Sequence, residues 1–162
     1  MKKLKIVLVI ITLSLLAWVS YITYPQTNTE AVQQTKVYQT VTVSELHELV
    51  NLERSKAGLQ PLVLDERLNK SAQEKADDMV TDGYLAHIDP VTGQAGTKYI
   101  FKNMPECRVG SENLSYEWTD VSGVVRGWMG SKAHREAILN SSFTYVGYGI
   151  AGNNNTVVQH FC

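Results

Sequence analysis

The sequence predicts an α+β domain in which helices come first and an antiparallel hairpin closes the chain. Apolar residues recur at helical spacing in segments near 44–57, 65–82, 120–129 and 131–139. The runs 144–151 and 156–161 are typical of strands, and the Gly-Asn-Asn-Asn sequence between them favours a hairpin turn. This order of elements is typical of the α+β class.

Start and stop signals support each predicted helix. The expected N-caps are Ser44, Asp65, Asp120 and Ser131, and the first two helices are expected to end at Gly58 and Gly83. The outer face of the second helix, with Glu74, Lys75, Asp77 and Asp78, is typical of a solvated surface. Residues 84–118 have no periodic pattern, and a loop of that length is usually functional or hides short elements.

The first 24 residues predict an export segment. Three lysines precede the uncharged apolar run 6–24, which is close to the length of a membrane-spanning helix and ends in interfacial aromatics. Because no clean small-x-small cleavage site follows, a retained signal anchor is favoured over a cleaved signal peptide. The polar segment 25–42 is then a flexible linker, and the domain 43–162 lies outside the cytoplasmic membrane, either tethered there or, alternatively, secreted after cleavage.

Charge and cysteine usage narrow the function classes. Residues 1–24 hold three of the 15 basic residues and none of the 16 acidic ones, so the remainder has a formal charge of -4. That charge argues against a nucleic-acid partner. Cys107 and Cys162 predict a disulfide in an exported protein, worth about 4 kcal/mol for a loop of this length. The alternative is a pair of free thiols.

Three short segments carry the candidate functional residues: His87 in AHIDP, Glu112 in GSENLSY and His134 in GWMGSKAHREAIL. Two imidazoles and a carboxylate are typical of a divalent metal site or a proton-transfer pair. Simpler interpretations remain open. His87 could bond the carbonyls that end the second helix, and Glu112 could form a structural ion pair with Arg135. His134 lies in the first turn of a helix, which favours its neutral form.

The motifs LERSKAGLQPL, AHIDP, SENLSY, VVRGWMGSKAHREAIL, YVGYGI and VVQHF, in this order, resemble the CAP superfamily. That superfamily takes in cysteine-rich secretory proteins, insect venom antigens and plant pathogenesis-related proteins, and the bacterial SCP-domain branch is the most similar. The resemblance covers residues 43–162. It implies an α-β-α sandwich with a central antiparallel sheet, to which a segment near Val109 or Leu114 should contribute a strand.

The resemblance further implies that His87, Glu112 and His134 lie in one cleft, where some family members bind zinc or another divalent cation. The position of a second family glutamate holds Ser131, so this set is one carboxylate short. Two imidazoles and one carboxylate still suffice for Zn²⁺ with a water. No role is assigned to His47, and His160 is expected to be a surface or packing residue.

Two functions are therefore predicted, and the first is favoured. One is an envelope-associated binding module for a cell-wall glycan, a lipid, a peptide or a protein partner, with Tyr84, Tyr116 and Trp118 either at the ligand surface or in the core. The other is a zinc-dependent hydrolase of peptide or cell-wall substrates, with Glu112, Ser131 and His134 as catalytic candidates. A nucleophilic Ser131 is disfavoured because an N-cap hydroxyl is occupied by backbone N–H groups.

Overall fold

The computed structural model describes residues 40–153 and 155–162, so the predicted anchor 1–24 and nearly all of the linker 25–42 lie outside the described residues. The elements are α1 (Val43–Lys56), β1 (Val63–Leu64), α2 (Glu66–Asp82), α3 (Lys98–Asn103), β2 (Ser111–Ser115), α4 (Val121–Gly130), α5 (Lys132–Ile138), β3 (Tyr145–Ala151) and β4 (Thr156–Phe161). Over the described ranges, no helix is both long and apolar enough to cross a membrane.

The strands form a mixed sheet. In the described part of the chain it contains four strands in the order β1-β3-β4-β2. The central pairs β3–β4 and β4–β2 are antiparallel, whereas the two-residue β1 pairs with β3 in parallel. The predicted α+β class and the hairpin of the last two strands are confirmed. The register places Glu112 of β2 opposite His160 of β4.

Helices cover both faces of the sheet. The larger apolar core lies between one face and α1, α4 and α5, and it includes Trp128, Tyr148 and Phe161. On the other face α2 packs directly on β3, because Gly147 and Gly149 carry no side chain. A Cβ on Gly147 would lie 2.5 Å from Leu68 Cβ and would overlap the backbone of α2. The two glycines thus set the close approach of α2 to the sheet.

The capping predictions are confirmed in part. Asp65 and Asp120 accept backbone N–H groups as N-caps, and Gly83 ends α2 in the left-handed conformation. The N-cap of α1 is Thr42 rather than Ser44, since the Thr42 hydroxyl accepts from the Glu45 N–H. Ser131 holds the N-cap position of α5 but makes no side-chain capping hydrogen bond. The expectation that the helix end occupies its hydroxyl is wrong.

Two further expectations need correction or refinement. The 84–118 segment contains both α3 and β2, so the strand expected near Val109 or Leu114 is present at Ser111–Ser115. Lys75 is not on a solvated surface, because only 1% of the residue is exposed.

The predicted disulfide is confirmed: Cys107 and Cys162 are bonded, and they pack with Leu68 and Ile100.

Candidate functional site

The candidate site is built around β2, at one edge of the sheet. Side chains alternate along the strand, so Glu112 faces the α2 side while Asn113 faces the α5 side. Asn113 Nδ2 donates to the backbone carbonyl of His134 at 3.2 Å and so fastens the start of α5 to the strand. The loop after α2 brings His87 to the same edge. Residues from both helical layers and from a loop therefore meet at β2.

Both carboxylate oxygens of Glu112 accept hydrogen bonds from imidazoles. His87 Nδ1 lies 2.7 Å from Oε1, and His160 Nε2 lies 2.9 Å from Oε2. The Glu112 side chain is only 3% exposed, whereas that of His87 is 54% exposed. His87 thus links a buried carboxylate to the surface, and the observed partner of its ring is Glu112.

The fold brings His87, Glu112 and His134 together, but Arg135 is not part of this group. The ring of His134 faces that of His87 edge-on, with centroids 6.4 Å apart. Arg135 does not pair with Glu112, since its guanidinium donates to the Met129 carbonyl at 2.7 Å. Within the described residues, the side-chain partners of Glu112 are the imidazoles of His87 and His160. The expectation of a structural ion pair between Glu112 and Arg135 is therefore wrong.

His160 is the site residue that the sequence does not reveal. It is fully buried, with 0% exposure, and its Nδ1 lies 2.5 Å from the hydroxyl of Ser71 on α2, which is also 0% exposed. Of the two roles expected for His160, the surface residue is wrong and the packing residue is right, and its contact with Glu112 also makes it part of the site. Only the register that pairs Glu112 with His160 could have indicated this.

The pKa values of His87 and His134 are shifted in opposite directions by their surroundings. The hydrogen bond to Glu112 raises the pKa of His87 above its ordinary value, although partial burial opposes this. Desolvation lowers the pKa of His134, and the nearby His87 adds to the effect. Burial opposes ionisation of Glu112, but hydrogen bonds from His160 and His87 outweigh it and lower its pKa. Near neutral pH, His134 is the group biased toward an uncharged imidazole.

Gly96 covers the carboxylate of Glu112. A Cβ on Gly96 would lie 2.8 Å from Glu112 Cδ and 2.9 Å from Oε1, and would overlap Oε2. The Gly96 N–H donates to the His87 carbonyl at 2.7 Å, and Ile88 bridges Ala95, so the loop closes on itself over the site. Glycine at position 96 is thus required for this close approach.

A buried cation lies next to this cluster. The Lys75 ammonium donates to the Tyr84 hydroxyl at 2.9 Å and sits 4.5 Å from the centre of that ring. The Tyr84 hydroxyl in turn bonds Asp78. Burial lowers the pKa of Lys75, but the carboxylate of Glu112 opposes this shift. Tyr84 is therefore engaged in the interior network rather than free to stack on a ligand.

A cleft of about 540 Å³ opens beside His134. Its walls come from the segment after β2 and from α4 and α5, and they include Tyr116, Trp118, Trp128, Ser131 and His134. Tyr116 and Trp118 are 46% and 38% exposed, so they present aromatic surface, whereas Trp128 is a core residue whose indole N–H donates to Leu114. The cleft thus joins aromatic surface to the imidazole of His134, whose pKa burial lowers.

The sequence profile of the cysteine-rich secretory protein (CAP) family matches residues 47–162. The chain belongs to the CAP family. This CAP domain is similar to the uncharacterized protein YkwD of Bacillus subtilis (strain 168), with 34% identity over 142 residues, 83% of this chain and 51% of YkwD. It is also similar to the uncharacterized membrane protein YlbC of the same organism, with 30% identity over 71% of this chain and 33% of YlbC. This chain therefore spans about half the length of one relative and a third of the other.

Solved structures share the CAP fold. An extracellular protein from Bacillus anthracis str. Ames that contains an SCP domain superposes with a TM-score of 0.68 and 25% identity, over 74% of this chain and 39% of that protein. An outer surface protein from Borrelia burgdorferi superposes with a TM-score of 0.65 and 24% identity, over 73% of this chain and 89% of that protein. The predicted family and its bacterial SCP-domain branch are confirmed.

Proposed function

We propose that this CAP domain is an extracytoplasmic binding module that holds a cell-wall glycan in the cleft beside His134. The observation that carries the proposal is the cleft itself, which combines the exposed faces of Tyr116 and Trp118 with the hydroxyl of Ser131. A sugar ring offers apolar C–H groups to an aromatic face and hydroxyls to polar groups. Binding sites of this kind pair aromatic walls with a few polar groups that fix orientation.

The location rests on two supports. The predicted signal anchor 6–24 would hold the domain outside the membrane. The relatives agree with this placement: one is described as extracellular and another as a membrane protein. A ligand of the cell envelope would lie within reach of a domain tethered there by the linker 25–42.

The proposal includes a divalent cation at the histidine pair, with Zn²⁺ as the leading candidate. Over residues 40–153 and 155–162, no group of three or more His, Cys, Asp or Glu side chains is arranged as a metal site. His87 and His134 nevertheless fit two ligand positions, since imidazoles that share a tetrahedral Zn²⁺ have centroids about 5 Å apart. The observed distance of 6.4 Å is about 1 Å longer, so the His134 ring would have to move toward His87 to share a cation with it.

In this arrangement Glu112 serves as a positioning group rather than a ligand. Its Oε1 accepts from His87 Nδ1, which leaves Nε2 of that ring for a cation. A carboxylate behind a metal-bound histidine fixes the ring and makes it more basic. A bound cation would supply an electrophilic point for a ligand oxygen, while water or that oxygen would complete the shell.

Binding to isolated cell wall tests the module. The purified full-length chain should co-sediment with peptidoglycan, and Trp118→Ala should abolish this retention. Tyr145→Ala is the matched control, because Tyr145 is an aromatic with the same 38% exposure that lies outside the cleft. Absence of retention for the wild-type chain would contradict a glycan ligand, and retention of lipid vesicles or of peptides instead would assign the cleft to those ligands.

Titration with zinc tests the cation. We expect the wild-type chain to bind one Zn²⁺ and both His87→Ala and His134→Ala to lose binding. Unchanged calorimetric titrations in both variants would contradict a site at this pair.

The hydrolase remains the second candidate because of one observation. Ser131 lines the cleft beside His134 and makes no capping bond, so its hydroxyl is not held by the end of α5. With a cation at the histidine pair, this hydroxyl could orient a substrate or a water. Release of soluble fragments from peptidoglycan in the presence of Zn²⁺, lost in His134→Ala, would favour an enzyme. Intact peptidoglycan after prolonged incubation would favour the binding module.

A further inference from the structure

A chain of hydrogen bonds runs from the interior of the domain to the histidine pair. It begins at the Ser71 hydroxyl on α2, continues through His160 on β4 and Glu112 on β2, and ends at His87 in the loop. The successive contacts measure 2.5, 2.9 and 2.7 Å. Three separate elements, α2, β4 and β2, thus hold His87 at the exposed end of this hydrogen-bond chain.

This hydrogen-bond chain contains the serine, histidine and carboxylate of a hydrolytic triad. Its two inner members, Ser71 and His160, cannot react with a substrate. Ser71 and His160 are both 0% exposed. The order of contacts also differs, since the imidazole here presents Nδ1 to the serine and Nε2 to the carboxylate, the reverse of serine proteases. Catalysis by Ser71 is therefore excluded, and the buried groups must act through Glu112.

The carboxylate of Glu112 determines which ring nitrogens carry hydrogen in this hydrogen-bond chain. An ionised carboxylate only accepts hydrogen bonds, so both nitrogens that face Glu112 carry hydrogen. In its uncharged form, His160 carries its hydrogen on Nε2, and its Nδ1 accepts from the Ser71 hydroxyl. In its uncharged form, His87 carries its hydrogen on Nδ1, which leaves a lone pair on Nε2. Each link therefore sets the hydrogen position of the next.

We propose that His160 and Ser71 are positioning residues that hold the carboxylate of Glu112, so that His87 keeps the Nδ1–H tautomer and offers Nε2 to the cation. The carboxylate is held at both oxygens and covered by Gly96, so it has little freedom to turn away from His87. The role of the cation rests on the proposed function. The tautomer of His87 does not, because it is a property of the metal-free protein.

Nitrogen-15 NMR of the histidine-labelled, metal-free, full-length chain tests this inference, at a pH where imidazoles are neutral. In the wild type we expect His87 to be protonated at Nδ1 and not at Nε2. Ser71→Ala removes the hydroxyl that donates to His160 Nδ1, so the His160 ring holds Glu112 less firmly and His87 should show a mixture of tautomers. His160→Phe removes the inner anchor of Glu112 and should have the larger effect. Ser71→Thr keeps the hydroxyl and should restore the wild-type pattern.

Zinc affinity provides the second measurement. Loss of the group that directly orients a metal-bound histidine typically weakens binding by about 10- to 100-fold. Ser71→Ala acts through His160 and Glu112, so it should raise the Kd for Zn²⁺ measurably, by about 10-fold at most. His47→Phe is the control, because it removes a histidine that contacts Tyr148 and Asn51 rather than the site. It should leave both measurements unchanged.

The outcomes separate the two proposals. An unchanged His87 tautomer in folded Ser71→Ala and His160→Phe would overturn the positioning role, even if the wild type binds zinc. A tautomer that shifts in these variants supports the positioning role, even if the wild type binds no zinc and the cation proposal fails. If His47→Phe lost as much zinc affinity as Ser71→Ala, that result would also count against a specific role for the hydrogen-bond chain.

Discussion

Replacement of Gly96 by alanine should disrupt the candidate site through a single added methyl group. Its Cβ would overlap Glu112 Oε2 and would lie 2.8 Å from Cδ, well inside ordinary carbon–carbon contact. Glu112 cannot yield freely, because both oxygens are hydrogen-bonded and its side chain is only 3% exposed. Either the carboxylate or the loop that carries Gly96 must move.

The expected cost combines two effects. Adding a methyl group to a filled interior costs about 1–3 kcal/mol. Movement of the carboxylate weakens at least one hydrogen bond to a charged group, which contributes about 1.5–3 kcal/mol. We therefore expect a loss of about 2.5–6 kcal/mol in the free energy of unfolding, or a decrease in Tm of roughly 10–20 °C for a domain of this size.

Urea unfolding followed by circular dichroism measures this loss. Gly130→Ala is the matched control, because a Cβ there meets nothing within 4 Å and its backbone conformation is open to alanine. Gly130 is the last residue of α4, so alanine should leave stability unchanged or raise it by about 0.4–1 kcal/mol. The His87 tautomer should also shift in Gly96→Ala and not in Gly130→Ala.

A Gly96→Ala protein with the stability of the wild type would refute the reasoning. It would mean that the loop over Glu112 moves aside at no cost, so the carboxylate is not held where the structure places it. A destabilised protein with an unchanged His87 ring would place the strain in the loop alone.

Three further predictions concern groups outside the histidine chain. Replacing both Cys107 and Cys162 by serine should lower the free energy of unfolding by about 4 kcal/mol, since the bridge spans 55 residues; urea unfolding with and without reductant measures this. Arg54 is 2% exposed and donates to three backbone carbonyls, so Arg54→Met should cost at least about 3 kcal/mol, read from the shift of the urea midpoint. Hydrogen bonds from Thr92 and Val91 lower the pKa of Asp89 to about 2, so its stabilising effect is complete above pH 4 and is lost as the pH falls toward 2. The difference in Tm between wild type and Asp89→Asn should therefore shrink over that interval, and a constant difference would contradict the shift.

The fold follows largely from local signals in the sequence. Helical periodicity and the caps Asp65 and Asp120 predict the major helices, and the Gly-Asn-Asn-Asn turn predicts the closing hairpin. The short elements α3 and β2 do not follow in this way. A five-residue strand with the pattern of β2 is buried along most of its length and has no alternation of apolar and polar residues to indicate it.

The candidate site is predictable only in its outer part. His87, Glu112 and His134 stand out as chemically capable residues in unusual local sequences, and the family resemblance groups them. Lys75 reads as one more charge on a helix surface, although it is buried against Tyr84. Its burial depends on how closely α2 approaches the sheet, which in turn depends on glycines far along the chain.

The sequence by itself determined the family and the order of the major helices and the closing hairpin, and it favoured the disulfide, because each depends on local pattern or on motifs read in order. It also singled out His87, Glu112 and His134 as candidate site residues. Only the tertiary structure decided the partners of Glu112. Strand register places His160 opposite it, the helix that lies on Gly147 brings Ser71 to His160, and Gly96 closes over the carboxylate. These contacts join residues up to 89 positions apart in the chain, and no local signal records them. The physical reason is that a side chain's hydrogen-bond partner is set by packing, whereas its chemical type is set by sequence.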